Sequence, residues 1–562
     1  MKRGKRILIV GGVAGGASCA ARARRNCESS EIILFDRGPH VSFANCGLPY
    51  YVGKVIHEEA KLLVATPELF RDRFNIEVRT EHEVLAIHRA EQMIEVKNLR
   101  TGSVARESYD ALVLSPGASP IRPHLPGIDL PGIFSLRTIP DSTRIRSWID
   151  DRAVKKAVIV GGGFIGLEMA ENLHGRGIAV RILEGADQVM PPLDPEMAAP
   201  VAERIRKAGI ELHLDDAVAS FEASGNALVV RTKSGIALDA DMVILAIGVR
   251  PETTLAKAAG LTIGERGGIR VDERMQTSDP AIWAVGDAVE VKDIVTGTWL
   301  ALPLAGPANR QGRIAADVLC GKNPRFRGVQ ATAVCGAFGM TIAMTGASEK
   351  SLKRAGITDF EKVWLHPGHH VGYFPGARPI HIKLIFRRFD GRILGAQAVG
   401  EEGVEKRIDV IAMAIQMHAT VYDLEETELC YAPQYGAAKD PVNIAGMIAS
   451  NHLRGDLPLA YWDDLDARRA VGALLLDVRE PGEFAAGSID GAVNIPLPEL
   501  RGRMNELPRN REIVVFCQVG QRGYYATRAL LQKGFHASNL AGGYRTWIDM
   551  PGSAQPKTDS KY

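Results

Sequence analysis

Short apolar runs of strand length recur along this chain, each broken by glycine and followed by a stretch with helical periodicity. RILIV (6–10) runs into Gly11-Gly12 and an alanine-rich segment, and a second apolar run, EIILFD (31–36), closes on an acid. The plan returns in KAVIV (156–160), GGGFIGLEMAENLHGRG (161–177) and VRILEG (180–185). Strand, glycine turn, helix and strand in that order predict a parallel βαβ unit, so two copies predict two nucleotide-binding domains. MVILAIGV (242–249) is a further run of buried-strand length. Near 325–330 the pattern changes to short β-like runs, HIKLIFRRF (381–389) and ILGAQAVG (393–400), with one long amphipathic helix over KRIDVIAMAIQMHA (406–419). This predicts an α+β domain ending near NIAGMIASNHLRG (443–455). Beyond the proline-bearing LRGDLPLAYWDD, strands ALLLDVR (473–479) and EIVVFC (512–517) and a helix GYYATRALLQKG (523–534) predict a small separate α/β domain. The closing SAQPKTDSKY is expected to be disordered.

Length and composition narrow the class. A chain of 562 residues accommodates three or four domains of about 100–200 residues. With 46% hydrophobic and 24% charged residues it can build a sizeable core. A net charge of +2 gives no reason to expect nucleic acid, although Arg22, Arg24 and Arg25 form a local basic cluster. Seven cysteines without framework spacing argue for a reducing compartment. No apolar run approaches the roughly 18 residues that a membrane span needs. The basic-then-apolar start breaks at once into glycine and reads as a first strand rather than a signal peptide. The expectation is a soluble, cytoplasmic protein with no membrane partner.

The second glycine turn is complete: Gly161, Gly163 and Gly166 form G-x-G-x-x-G directly after a strand. The first glycine makes the turn, the second admits a pyrophosphate, and the third lets helix pack on strand. Glu184 ends the next strand, where a carboxylate binds a ribose diol and repels a 2′-phosphate; NADH is favoured, with NADPH an alternative. The first turn reads Gly11, Val13, Gly16, with Asp36 as its acid, so valine replaces the middle glycine. Support comes from TSDPAIWAVGDA (277–288), an apolar strand running into Gly286-Asp287, where an aspartate can bind a flavin ribityl hydroxyl.

Together these segments resemble the pyridine nucleotide-disulfide oxidoreductases over about residues 1–445. LVLSPGASP (112–120) and LAIGVRPE (245–252) look like that family's interdomain crossovers. The resemblance implies FAD and NAD(P)H as cofactors. It places Gly11, Gly12, Val13, Ala14, Gly16, Asp36, Arg37, Ser115, Pro116, Gly117, Gly286, Asp287, Pro303 and Ala305, with Gly161, Gly163, Phe164, Ile165, Gly166, Glu184 and Gly248, around them. Phe164 would lie near the flavin on its nicotinamide side.

Enzymes of this family that reduce disulfides like glutathione's carry C-x₄-C, and nothing here matches. Cys19 and Cys27, in the first helix, read as structural thiols, and Cys320, Cys335 and Cys430 as isolated ones. SFANCGLPYY (42–51) resembles the single-cysteine branch: coenzyme A-disulfide reductases and the related NADH oxidases and peroxidases. A lone Cys46 can cycle through a sulfenic acid. Alternatively it forms a mixed disulfide whose second sulfur comes from the substrate. The flanks of Cys46 favour the coenzyme A-disulfide branch.

HHVGYFPGA (369–377) and YAPQYGAAKDPVN (431–443) resemble that branch's C-terminal pieces, which reach across a homodimer. They offer Tyr373 and Tyr431 as hydrogen-bond donors to a leaving sulfur and Lys439 to a coenzyme A phosphate. Ser18, Arg22, Arg25, Ser42, Asn45 and Asn309 match positions lining the coenzyme A channel. Where the family carries a lysine, this chain has Phe74, with Arg71 and Arg73 nearby.

LLLDVREPGEFAAGSIDGAVNIP, VVFCQVGQRGYYATRALLQKGF and LAGGYRTW resemble a single-domain rhodanese. In CQVGQRG a cysteine ends a strand and a short loop leads to a helix start. Backbone N–H groups there favour an anionic persulfide on Cys517, with Arg522 bracing the loop or holding the donor, and Asp477 and Arg479 bracing the fold.

The expected architecture is therefore α/β. A discontinuous FAD domain occupies 1–115 and 250–324, an NAD(P)H domain 116–249, an α+β dimerisation domain 325–450 and a rhodanese-like domain 457–555. The expected activity is reduction of S–S bonds in coenzyme A disulfide, coenzyme A persulfide or polysulfide, with no metal. Three alternatives stay open at this point: an NADH oxidase or peroxidase, a sulfurtransferase with a redox-sensing flavin module, and a protein whose rhodanese module only docks a partner.

Overall fold

The computed structural model describes residues 4–550. The closing segment 553–562, and 551–555 of the expected rhodanese range, lie outside the described residues. The chain divides into two compact units.

The first unit comprises residues 1–187 and 209–331. It holds two five-stranded sheets. In one, Arg6–Val10 lies between Glu31–Phe35 and Ala111–Leu114, extended by Glu77–Arg79 and Ile282–Ala284, all parallel. In the other, Lys156–Val160 lies between Ala179–Leu183 and Met242–Leu245, extended by Glu211–His213 and Ile133–Phe134, again parallel. The central strands are continuous Val, Ile and Leu runs because both of their faces are buried. MVILAIGV is not one strand: it stops at Leu245, Gly248 turns with φ +106°, and Val249–Pro251 pairs antiparallel with Ala118–Pro120.

The second unit comprises 188–208 and 332–562. An antiparallel sheet runs Ala333–Ala337, Met340–Gly346, Ile393–Gly400, Ile380–Phe386, Glu361–Leu365, with the helix Val404–Gln416 packed on it. That helix starts and ends earlier than its hydrophobic period implies. Gly403 at φ +67° turns the chain into it, and His418 at φ +60° turns the chain away. The C-terminal module has a parallel sheet in the order Leu459–Ala460, Ala537–Leu540, Ile513–Phe516, Leu474–Asp477, Val493–Asn494. It is joined to the antiparallel domain by Tyr461, whose hydroxyl donates to Glu361 at 2.7 Å, and by His366 Nε2 at 2.8 Å from Thr546 Oγ1.

Residues 188–208, including the helix Pro195–Lys207, belong to this unit although the chain around them belongs to the other. Lys383 is the reason. Its ammonium is fully buried, 2.8 Å from Asp194, 2.5 Å from Glu349 and bonded to Glu196. Gln397 bonds Asp194 through both its side-chain oxygen and its nitrogen, at 2.8 and 2.7 Å. Among the described residues, no helix is long and apolar enough to cross a membrane.

Candidate active site

The two glycine turns have one geometry. Gly11 sits at φ +95° and Gly161 at φ +113°. A Cβ on Gly16 would fall 1.9 Å from the Gly11 carbonyl oxygen, and one on Gly166 2.0 Å from that of Gly161. Only glycine permits this strand–helix approach. Asp36 accepts from the Gly12 and Gly38 N–H groups at 2.9 and 2.8 Å. Glu184 accepts from those of Gly162 and Ala186 at 2.7 and 2.9 Å. Neither following helix, Ala14–Asn26 or Phe164–His174, has a side-chain cap, so their first N–H groups are presented for an anion. A Cβ on Gly163 would meet nothing within 4 Å, which leaves room for a phosphate; Val13 takes the matching place in the first turn. Both cradles thus fit a dinucleotide. Phe164 and Ile165 open the second helix, and Arg37 is exposed beside Asp36.

Three features of the first cradle have no local sequence signal. A Cβ on Gly15 would lie 2.9 Å from Val285 and 3.1 Å from Ser115 Oγ, so this glycine lets the strand ending at Ala284 close against the turn. Gln311, buried on the helix Ala305–Leu319, accepts the Gly286 N–H at 2.7 Å and holds the turn carrying Asp287. Arg137 donates to the Pro116 carbonyl and Ser119 Oγ, both at 2.9 Å, and feels Arg37 and Asp36. Burial pushes the Asp287 carboxyl up, and Arg137 opposes that shift. Gly117 turns at φ +75°, and Pro303 and Ala305 are exposed at the start of the helix.

Cys46 lies in the turn Asn45–Gly47, ahead of the short helix Leu48–Val52. Ser42, at φ +49°, donates its N–H to the Gly12 carbonyl at 2.8 Å, which ties this segment to the first cradle. Cys46 is exposed, yet enough protein surrounds its sulfur that burial pushes the thiol up; Glu168 and then Asp287 push it further. The fold has brought the predicted redox cysteine, the predicted flavin aspartate and a carboxylate from the second nucleotide domain into electrostatic range of one another. None of the groups that shift Cys46 is a cysteine, and Cys46 is in no disulfide.

The proposed substrate positions divide. Ser18 hydrogen-bonds Asn309 across two tightly packed helices, where a Cβ on Gly312 would fall 2.2 Å from the Gly15 carbonyl oxygen. Arg22 is bound by Asp317 at 2.7 and 3.1 Å, so its charge is already matched. Arg25, Asn45 and Arg73 are exposed, and Arg71 pairs with Asp72 at 2.8 Å. Arg24 is buried and donates to the Phe74 and Asn75 carbonyls at 2.8 and 2.7 Å. Two cysteine expectations need correction. Cys27 caps the first helix rather than lying in it. Cys320 is not isolated: its sulfur lies 3.8 Å from the Ala23 carbonyl oxygen and it feels Cys27, because the helix that ends beside it packs along the first.

In the second unit the Tyr373 and Tyr431 hydroxyls are 2.8 Å apart and both rings are exposed. The Tyr373 hydrogen bond pushes the Tyr431 phenol up. Lys439 is exposed, and the next residue, Asp440, is buried and pairs with Arg407 at 2.9 Å. Cys517 follows Ile513–Phe516, and Gly520, at φ +90°, starts the helix Gln521–Gln532. The Cys517 and Gln518 carbonyls accept from the Tyr544 and Arg545 N–H groups at 2.8 and 2.9 Å, and that of Gly520 from Asn539 at 3.1 Å. With these carbonyls turned into the module, the N–H groups of the same peptides point the other way, as an anion cradle requires. Arg522 reaches Cys517 and grips Glu483 at 2.6 and 2.7 Å. Arg479 is fixed by Asp477 at 2.7 Å.

The model of the pyridine nucleotide-disulphide oxidoreductases matches residues 5–312, over both cradles and Cys46. The chain belongs to that family. The family's dimerisation domain matches 332–440 and a rhodanese-like domain 460–550. A coenzyme A disulfide reductase of Staphylococcus haemolyticus is 35% identical over 79% of this chain and 98% of its own. The structure of reduced Bacillus anthracis CoADR-RHD is 50% identical, with a TM-score of 0.95 over 97% of this chain and 98% of that one. A NAD-dependent persulfide reductase from A. fulgidus is 36% identical, with a TM-score of 0.90 over 96% and 100%. This oxidoreductase thus carries a C-terminal rhodanese domain, and its family implies FAD and NAD(P)H.

Within this oxidoreductase, Glu168 is the neighbour that sequence reasoning missed. Burial, then Glu171, raises its carboxyl to about 7. Glu168 therefore gains its charge near neutrality and opposes Cys46 thiolate formation above that pH. Glu168→Gln removes the opposing charge. The rate of Cys46 alkylation by iodoacetamide, followed against pH, should rise at lower pH than in the wild type. An unshifted profile would show that the two groups are uncoupled.

Proposed function

We propose that this oxidoreductase reduces S–S bonds of coenzyme A disulfide, coenzyme A persulfide or polysulfide at the expense of NADH, with Cys46 as its lone redox cysteine and Cys517 as a carrier of sulfane sulfur. The observation that carries this is Cys46: an accessible thiol within electrostatic reach of Asp287, none of whose influencing neighbours is a cysteine. The names of the similar proteins point the same way. Bound at the two cradles, FAD and NADH would supply an electron pair.

The chain's own groups do the rest. As a thiolate, Cys46 attacks one sulfur of the substrate, forming a mixed disulfide and releasing the other sulfur as a thiolate, or as hydrosulfide from a persulfide. The electron pair then cleaves the mixed disulfide, restoring the Cys46 thiolate and freeing the second thiol. Tyr431, paired with Tyr373, is the donor for the departing sulfur within the homodimer that the dimerisation domain implies. Ser18, Ser42, Asn45, Asn309 and Lys439 are the candidate contacts to coenzyme A. Glu184 disfavours a 2′-phosphate, which makes NADH the expected reductant. A cytoplasmic location, where thiols stay reduced, suits this chemistry.

The test is NADH oxidation without oxygen against coenzyme A disulfide, coenzyme A persulfide, polysulfide and glutathione persulfide. Turnover with coenzyme A species is expected; rapid NADH loss with oxygen or peroxide alone would favour an oxidase or peroxidase instead. Cys517→Ser should lose sulfur transfer but still reduce preformed coenzyme A persulfide. If that reduction is lost too, the two centres do not work independently.

A further inference from the structure

The rhodanese cradle is electrically balanced. Arg522, beside Cys517, donates through both terminal nitrogens to the Glu483 carboxylate, at 2.6 and 2.7 Å. This bond and its charge push the guanidinium further toward its protonated form, with Cys517 adding to the effect; in return Glu483 is held below the usual carboxylate range by Arg522. The next cation reaching the loop, Arg479, donates to Gln518 at 3.1 Å but is matched by buried Asp477. Arg545 binds the loop through its backbone N–H, and its guanidinium lies 3.4 Å from Asp549. The loop's own side chains between Cys517 and Arg522 are Gln518, Val519, Gly520 and Gln521, all uncharged. Val519, on the loop, and Tyr525, on the second turn of the helix, are exposed.

We propose that the Cys517 site takes sulfur from hydropersulfides carried on an organic thiol in preference to the thiosulfate dianion, and that Glu483 sets this preference by neutralising Arg522. The proposal rests on Cys517 being the sulfur carrier. Among the described residues, a dianion entering the cradle meets no uncompensated cation and must approach Glu483, so desolvating its charge is not repaid. A hydropersulfide, RS–SH, brings little charge and an organic body that Val519 and Tyr525 can contact. In the transfer, the Cys517 thiolate attacks the outer sulfur of RS–SH. The donor S–S bond breaks, its electron pair leaves on RS⁻, and Cys517 holds S–SH with no net oxidation or reduction. With thiosulfate the leaving group would be sulfite.

The experiment follows thiocyanate formation from cyanide by the full-length holoenzyme, without NADH, using glutathione hydropersulfide or thiosulfate as donor. The wild type should use the hydropersulfide with a kcat/KM at least about a hundredfold above that for thiosulfate. Glu483→Gln should move this ratio about tenfold or more toward thiosulfate, since Arg522 is then unmatched. Glu483→Asp, which retains the carboxylate, should keep the wild-type ratio. Equal use of both donors by the wild type would overturn the proposal. So would equal shifts in both variants, which would mean that loop positioning rather than charge selects the donor. Cys517→Ser separates the two claims: continued transfer in that variant would sink the carrier role itself, whereas abolished transfer with an unselective wild type would sink only the donor preference.

Discussion

Cys46→Ser should reduce NADH-driven reduction of coenzyme A disulfide and coenzyme A persulfide by about a thousandfold or more. A serine hydroxyl does not ionise near neutral pH and cannot hold a sulfur adduct that an electron pair then cleaves. Among the described residues, no second thiol acts on the Cys46 sulfur, so no neighbour can substitute. The cradles themselves should survive the change. Gly11, Gly161, Asp36 and Glu184 are held by backbone geometry and by N–H groups of their own turns, none of which involves Cys46. NADH-dependent reduction of an artificial electron acceptor should therefore stay within a few fold of wild type. A variant that still turns over the coenzyme A species at full rate would remove Cys46 from the mechanism. One that loses dye reduction as well would show a damaged fold rather than a lost nucleophile.

Lys383→Met should destabilise the second unit by about 3–5 kcal/mol, because it strands the buried Asp194 and Glu196 carboxylates and leaves Glu349 to Lys362 and Lys353 alone. Burial works against the Lys383 charge, yet Glu196, Asp194 and Glu349 together hold its pKa above the usual lysine value. Burial likewise favours neutral Asp194 and Glu349, and Lys383 keeps both below the ordinary carboxylate range. Carboxylates depressed in this way stabilise the fold above their unfolded pKa, and that stability is lost on acidification. The cost should appear as a fall of about 10 °C in the thermal transition of this unit. Adding Glu196→Gln to Lys383→Met should recover part of the loss, since one stranded charge disappears. Equal stability of wild type and Lys383→Met would mean that the cluster is solvated or already protonated. The cluster also fixes the segment 188–208, so hydrogen exchange in Pro195–Lys207 should rise in the single variant.

Cys320 and Arg22 show why some expectations from the linear chain needed amendment. Cys320 has no cysteine near it in sequence, yet the helix preceding it packs along Ala14–Asn26 and delivers it beside Cys27. Arg22 reads as a free cation in a basic cluster, but Asp317, nearly three hundred residues on, already holds it. Charge pairing of this kind depends on which helix faces which, and hydrophobic periodicity alone leaves that open.

The sequence by itself determined the parts whose chemistry is local. Each glycine turn and its acid lie within one βαβ unit, where strand length, glycine spacing and helix periodicity are enough to predict the cradle. The solitary Cys46, and the cysteine–glycine–arginine loop of the rhodanese domain, are equally legible because each pattern lies within one short contiguous run of the chain. Tertiary structure alone decided the rest: Arg137 and Gln311 at the first cradle, Glu168 and Asp287 acting on Cys46, Glu483 on Arg522, and Lys383 holding a segment that interrupts the other unit. These groups come from distant elements, and their effects fall off within a few ångströms, so only the packing of whole helices and sheets brings them into play.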